Sequence, residues 1–215
     1  MSLGKIYEVD KDAELVEKEM SNLLRLDIAC GNNKQPGFIG IDLAENSQAD
    51  FISHLGDTLW EFSPSDTCED KVKLQVQPHL SENLFLKDSS VGEIFCSHFI
   101  EHVDSIKVFM EECWRIMANK AILHIIAPYY TSIRATQDFT HVRSISENTF
   151  LYFTKKWIDN NKLSHYNINC DFNIDSIKYI YYPEWAIRAK QVQEYARQHH
   201  WNVVMDIDIV MRALK

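Results

Sequence analysis

Eighteen residues near the start of the chain, Leu26-Asp-Ile-Ala-Cys-Gly-Asn-Asn-Lys-Gln-Pro-Gly-Phe-Ile-Gly-Ile-Asp42-Leu43, constrain the fold more than any other stretch. Leu26 to Ala29 reads as a short buried strand, Gly31 opens a tight turn, and Phe38 to Ile41 reads as a second strand that delivers Asp42 at its end. In parallel α/β sheets the carboxyl edge of the strands is where ligands bind. A turn of small residues lets backbone N–H groups approach a ligand, and a carboxylate one strand over can accept both hydroxyls of a ribose. Asn33 follows in the turn, and Asn tolerates left-handed backbone better than most residues. Only ten residues separate Gly31 from Asp42, so a turn or a very short helix must connect the two strands. A dinucleotide fingerprint, with three spaced glycines and an acid about 20 residues on, does not fit this spacing.

Alternation of strands and helices continues downstream. Ala49 to Leu55 reads as a third strand, Glu93 to Ser97 as a fourth and Ala121 to Ala127 as a fifth, stopped by Pro128. Between the last two, Ile106, Phe109, Met110, Cys113, Ile116 and Met117 recur at helical spacing behind Asp104 or Ser105 as cap. A helix over Asp12 to Leu24 precedes the first strand. Ser144-x-x-Glu147 has the form of a capping box before Phe150. Phe172 to Tyr182 reads as a strand, Pro183 starts a helix carrying Trp185, Ala189, Val192 and Ala196, and Trp201 to Leu214 alternates as a final strand. The pattern predicts an α/β, Rossmann-like sheet of about seven mostly parallel strands with helices on both faces, in a single domain over 1–215. Two segments depart from it: a polar, proline-interrupted loop or insertion at 60–83, and an aromatic and polar loop at 128–146.

The first two strands and their turn resemble the opening motifs of class I S-adenosylmethionine-dependent methyltransferases. Two further stretches strengthen that resemblance. Asn83 to Ile94 is similar to the family's loop before the fourth strand, and Ser97-His-Phe-Ile-Glu-His-Val103 is similar to the segment after that strand. The resemblance implies S-adenosylmethionine as cofactor and an antiparallel last strand. It implies cofactor contacts from Asp27, Ala29, Cys30, Gly31, Asn32, Asp42 and Leu43, with His54 or Asp57 meeting the adenine. Ser97, His98 and His102 lie beneath cofactor and substrate in the same scheme. In the 128–146 loop Asp138 and His141 match a D-x-x-H string of small methyltransferases, with His141 as general base oriented by Asp138, and Tyr129, Tyr130 and Arg134 shaping the acceptor pocket. The sulfonium methyl is already activated, so the chain must mainly position the acceptor and take one proton. Residues 60–83 would act as a mobile cover over the cofactor edge.

Composition narrows the partners. The net charge of −9 and a single adjacent basic pair, Lys155-Lys156, argue against a nucleic-acid footprint. A small-molecule or saccharide-type acceptor is expected instead. No run of 18 apolar residues and no leader are evident, so membrane association is not expected and a cytoplasmic location is. The five cysteines form no C-x-x-C pair, and nucleophilic catalysis by Cys30 is not indicated. Two other functions compete: a cofactor-binding module without turnover, and a zinc peptidase using His98-x-x-Glu101-His102. The peptidase reading needs those residues inside a helix and a distant third ligand, for which Glu184 or Glu194 is formally available. His98 instead comes directly after an apolar strand, so no metal is expected.

Overall fold

The computed structural model describes residues 23–52, 75–76 and 86–215. Its centre is an eight-stranded sheet in the order β4-β3-β2-β1-β5-β6-β8-β7. The strands are β1 (Leu24–Ile28), β2 (Ile39–Asp42), β3 (Phe51–Ile52), β4 (Gln75–Val76), β5 (Val91–Ser97), β6 (Met117–Pro128), β7 (Phe172–Tyr181) and β8 (Val204–Ala213). β1, β2, β3, β5 and β6 run parallel. β8 inserts antiparallel between β6 and β7, as the resemblance implies. The expected Asp12 to Leu24 helix lies outside the described residues apart from its last two. The 60–83 cover also lies outside them, except for Gln75–Val76, which pairs antiparallel with β3 at the sheet edge.

Strand register explains the core. Leu26, Ile94, Leu123 and Met211 are cross-strand partners and so share a face, as do Ile28, Cys96, Ile125 and Ile209. All eight are buried, each contributing about 1.5–3 kcal/mol of hydrophobic stabilisation when fully removed from water. The opposite rows are mixed: Arg25, Glu93, Ile122 and Arg212 in one, Asp27, Phe95, His124 and Val210 in the next. Charges there are paired, Arg25 with Glu93 at 2.8 Å and His124 with Asp208 at 2.9 Å.

Helix α1 (Ile106–Ile116) is capped by Ser105, whose side chain accepts from the Val108 N–H at 3.3 Å. It buries Phe109, Met110, Cys113 and Ile116 and passes straight into β6. After β6 come two short helices, α2 (Arg134–Gln137) and α3 (Glu147–Leu151), then α4 (Lys155–Asn160). The cap of α3 is Ser146, reciprocally bonded with Thr149, rather than Ser144 with Glu147. Glu147 turns elsewhere: it accepts from the Tyr129 hydroxyl at 3.1 Å and from Arg197 at 3.1 Å. The expected helix from Pro183 is two pieces, α5 (Pro183–Ala186) and α6 (Lys190–His199). Among the described residues no helix is long and apolar enough to cross a membrane.

Candidate active site

The carboxyl ends of β1, β2, β5 and β6 lie side by side, and the candidate residues hang from them. At the β1 end the chain turns left-handed twice, at Ala29 (φ 57°) and Gly31 (φ 51°). Asn33, expected to supply the left-handed geometry, does not; its N–H closes the turn on the Cys30 carbonyl at 3.1 Å. An alanine with positive φ is costly, and the surrounding bonds hold it. Asp42 accepts the Gly31 N–H at 2.8 Å through one oxygen and the Ala44 N–H at 2.8 Å through the other. Each oxygen retains a lone pair for a ligand hydroxyl. The short β1–β2 connection is a loop without helix, as the spacing requires.

Two residues missed in the sequence complete this turn. Gly40 lies so close to the loop that a Cβ would meet Lys34 Cδ at 2.6 Å and Cys30 Sγ at 2.9 Å. Asp50 receives the Gly40 N–H at 2.8 Å and grips Lys34 with both oxygens at 2.8 Å. Asp27 is buried and accepts the Gln35 N–H at 2.7 Å; burial raises its pKa, partly offset by that bond. Cys30 is buried rather than exposed, and burial with Asp27 and Asp42 nearby pushes its thiol up to about 12. It therefore has no thiolate for nucleophilic attack at neutral pH. By contrast, among the described residues nothing stands within 4 Å of where a Gly31 Cβ would point, and Asn32 and Leu43 are exposed. Gly31 and the spare lone pairs of Asp42 thus lie side by side at the ends of β1 and β2. His54 and Asp57 lie outside the described residues.

A second cluster forms below the ends of β5 and β6. Ser97 ends β5, and His98 comes next with a left-handed backbone (φ 54°), its N–H on the Ile126 carbonyl at 2.8 Å. Residues 100–102 form a turn, not a helix, so the peptidase motif lacks its helical setting. A cavity of about 220 Å³ opens here, lined by His98, Glu101, His102, Pro128, Arg134, Gln137, Asp138 and His141. The 128–146 loop does face it, but not as expected throughout. Tyr129 is buried against Glu147 and Arg197, and neither it nor Tyr130 lines the cavity. Arg134 does, steadied by Asp206 at 2.7 Å. Burial raises the Asp206 pKa, and the guanidinium opposes that.

His141 is held by the Ala135 carbonyl, 3.2 Å from Nδ1, and not by Asp138, whose Oδ2 is 3.9 Å from Nε2. Asp138 instead accepts the Thr140 hydroxyl at 2.7 Å and its N–H at 2.9 Å, which hold its carboxyl below the usual range. Thr140 in turn meets His102 Nδ1 at 3.0 Å. Arg143 pins the 100–104 turn through the carbonyls of Ile100, Val103 and Asp104. Glu101 stands out in the sequence only as part of the peptidase string, yet it is the most unusual group here. It is 1% exposed, and among the described residues neither carboxylate oxygen has a hydrogen-bond partner.

No family model matches the chain, and no curated protein matches it in sequence. Solved structures do match. A SAM-dependent methyltransferase from Archaeoglobus fulgidus is 18% identical, with 93% of each chain covered and a TM-score of 0.51. An S-adenosylmethionine-dependent methyltransferase from Mesorhizobium loti is 12% identical over 89% of this chain and 91% of its own, with a TM-score of 0.46. The fold of this chain is that of the class I S-adenosylmethionine-dependent methyltransferases.

Proposed function

We propose that the chain is an S-adenosylmethionine-dependent methyltransferase acting, as one domain and in the cytoplasm, on a small-molecule or saccharide-type acceptor. The observation that carries this reading is the pairing of two sites on one sheet edge. The Gly31 turn and Asp42 suit an adenosyl group, and the polar cavity at His98 to His141 suits an acceptor. Asp42 would take the ribose hydroxyls, while Ala29, Cys30, Gly31 and Asn32 offer backbone at the turn and Leu43 an apolar surface. When bound, the cofactor supplies a methyl group whose bond to sulfur breaks as the acceptor attacks, leaving a neutral thioether. The protein's task is alignment and removal of one proton. In the metal-free chain His141, which lines the cavity, is the base: with Nδ1–H donating to Ala135, Nε2 keeps its lone pair. Asp138 acts on His102 through Thr140 rather than directly on His141.

The test is conversion of S-adenosylmethionine to S-adenosylhomocysteine, read by mass spectrometry across a panel of hydroxyl, amine and carboxylate compounds. Acceptor-dependent product and a methylated acceptor support the reading. A protein that binds the cofactor tightly yet turns over nothing across the panel is a binding module instead.

A further inference from the structure

Glu101 presents a problem that methyl transfer alone does not solve. A buried carboxylate without hydrogen bonds is strongly disfavoured, yet Glu101 sits in the cavity wall with both oxygens unpartnered. Two imidazoles stand at longer range, His98 Nδ1 at 3.5 Å and His141 Nε2 at 3.9 Å from Oε1. One donor atom from each of Glu101, His102 and His141 lies within 4.8 Å of the other two. The rings of His102 and His141 meet edge to face at 4.6 Å.

The outer hydrogen bonds prepare these rings. His141 Nδ1 is committed to the Ala135 carbonyl, leaving Nε2 with the lone pair. The Thr140 hydroxyl gives its proton to Asp138, so it accepts from His102 Nδ1 and leaves Nε2 basic there as well. Metal-ligating histidines almost always donate their second nitrogen to a carbonyl, carboxylate or water in this way, which fixes tautomer and orientation. Donors at about 2.0–2.2 Å from a tetrahedral or octahedral cation stand about 2.8–3.6 Å apart at neighbouring positions, so the widest pair of the cluster closes by up to about 1–2 Å on binding.

We infer that Glu101, His102 and His141 form a mononuclear site for a divalent transition-metal cation at the wall of the acceptor cavity. Two imidazoles and one carboxylate suit such cations and leave coordination positions open. The open positions face the space shared with His98, Arg134 and Gln137. The chemical class of acceptor that fits is therefore one with a hydroxyl or carboxylate oxygen. A bound hydroxyl would lose its proton to solvent near neutral pH, because the cation stabilises the oxyanion. His141 is then a ligand, and the cation takes over the role that its lone pair has in the metal-free chain. Glu101 is a ligand rather than the water-activating base of the peptidase motif, and the third ligand is His141 rather than Glu184 or Glu194. The sequence motif does not point to this set, because His141 is remote from His98-x-x-Glu101-His102. The metal itself rests on the cluster alone; only the acceptor class rests on the methyltransferase reading.

The test is titration of chelator-stripped full-length protein with Co(II), monitored by visible absorption. The expected result is saturation at one equivalent with d–d bands of a nitrogen–oxygen site. Glu101→Gln and His102→Asn, each checked for a cooperative thermal melt, should bind at least about 30-fold more weakly, while His199→Ala on the surface of α6 should match the parent. If one site variant fails to fold, the other decides. Absence of saturable binding by the parent, or parent-like binding by a folded site variant, overturns the inference. S-adenosylhomocysteine affinity, measured on the same stripped protein, separates the two readings. Cobalt bound without cofactor affinity leaves the metal site standing and removes the methyltransferase; the reverse leaves the enzyme without its metal.

Discussion

The two halves of the site are built in opposite ways. At the β1 turn every described carboxylate is satisfied by nearby backbone or side chain: Asp42 by Gly31 and Ala44, Asp27 by Gln35, Asp50 by Gly40 and Lys34. At the cavity Arg134, Asp138, His102 and His141 are held in the same way, but one carboxylate is not. Among the described residues Glu101 has both oxygens buried and free of hydrogen bonds. The first half is pre-organised and needs a ligand only to use spare lone pairs. The second holds unspent polar capacity, which is characteristic of sites where something else must bind. A cofactor of fixed shape suits the first arrangement, and an acceptor with its own charge, or a cation, suits the second.

The largest effect that can break this division is on turnover. His141→Ala should lower it by about 10²–10⁴-fold, the usual worth of general-base assistance, with cofactor affinity near that of the parent. Full turnover in the variant would leave the cavity with a shaping role only. Loss of cofactor affinity in the same variant would show that the two halves are not separable.

Next is Asp42→Ala, which should weaken S-adenosylmethionine by about 1.5–3 kcal/mol, the scale of hydrogen bonds to a charged group. Because Asp42 also ties down Gly31 and Ala44, the variant should lose some stability, and Asp42→Asn, which keeps one acceptor oxygen, should lose less of both. Calorimetric titration and thermal melts read the two quantities separately. Unchanged affinity in Asp42→Ala would remove the residue from the site.

Glu101→Gln tests the other half for stored cost. Without metal, removing a buried charge that lacks hydrogen bonds should raise stability by about 1 kcal/mol, which is about 2–4 °C in melting temperature for a chain of this size. A clear loss of stability in chelator-treated protein would mean that the histidines already compensate the carboxylate.

The smallest effect sharpens the cofactor side. The folded pKa of Asp27 is raised by burial above the ordinary 3.8. The corresponding contribution to stability is present below the unfolded value and is lost as pH rises through the raised folded value. Parent protein should therefore gain stability relative to Asp27→Asn as pH is lowered toward 4. An opposite slope in paired denaturation curves would mean that the Gln35 bond outweighs burial.

Legibility in the sequence divides along the same line. The β1 turn is made by residues within a few positions of one another, so Gly31, Asp42 and the absence of a crossover helix could be read directly. Conformation could be read there only in part: besides Gly31 the left-handed residue is Ala29, which no propensity favours, and Gly40 is fixed by contact with Lys34 and Cys30. α1 and its Ser105 cap arise from local periodicity, while the α3 cap at Ser146 was misplaced because Ser144 offered the same spacing to Glu147. The cavity was only partly legible. His98, His102, Asp138 and His141 stood out as residue types, but Glu101 meets His141 across forty positions of chain, brought together by the pairing of β5 with β6 and by the bonds of Val142 and Arg143 to the 100–104 turn. Tyr129 was misassigned for a related reason: its partners, Glu147 and Arg197, come from α3 and α6.

The central claim is that these two halves are one site. A structure of the protein with S-adenosylhomocysteine tests it most directly. The account predicts the ribose hydroxyls on Asp42, the adenosyl group over the open side of Gly31, and the sulfur directed toward the cavity between His98 and His141. Cofactor bound anywhere else on the sheet, or seated at Gly31 with its sulfur facing away from that cavity, would contradict it.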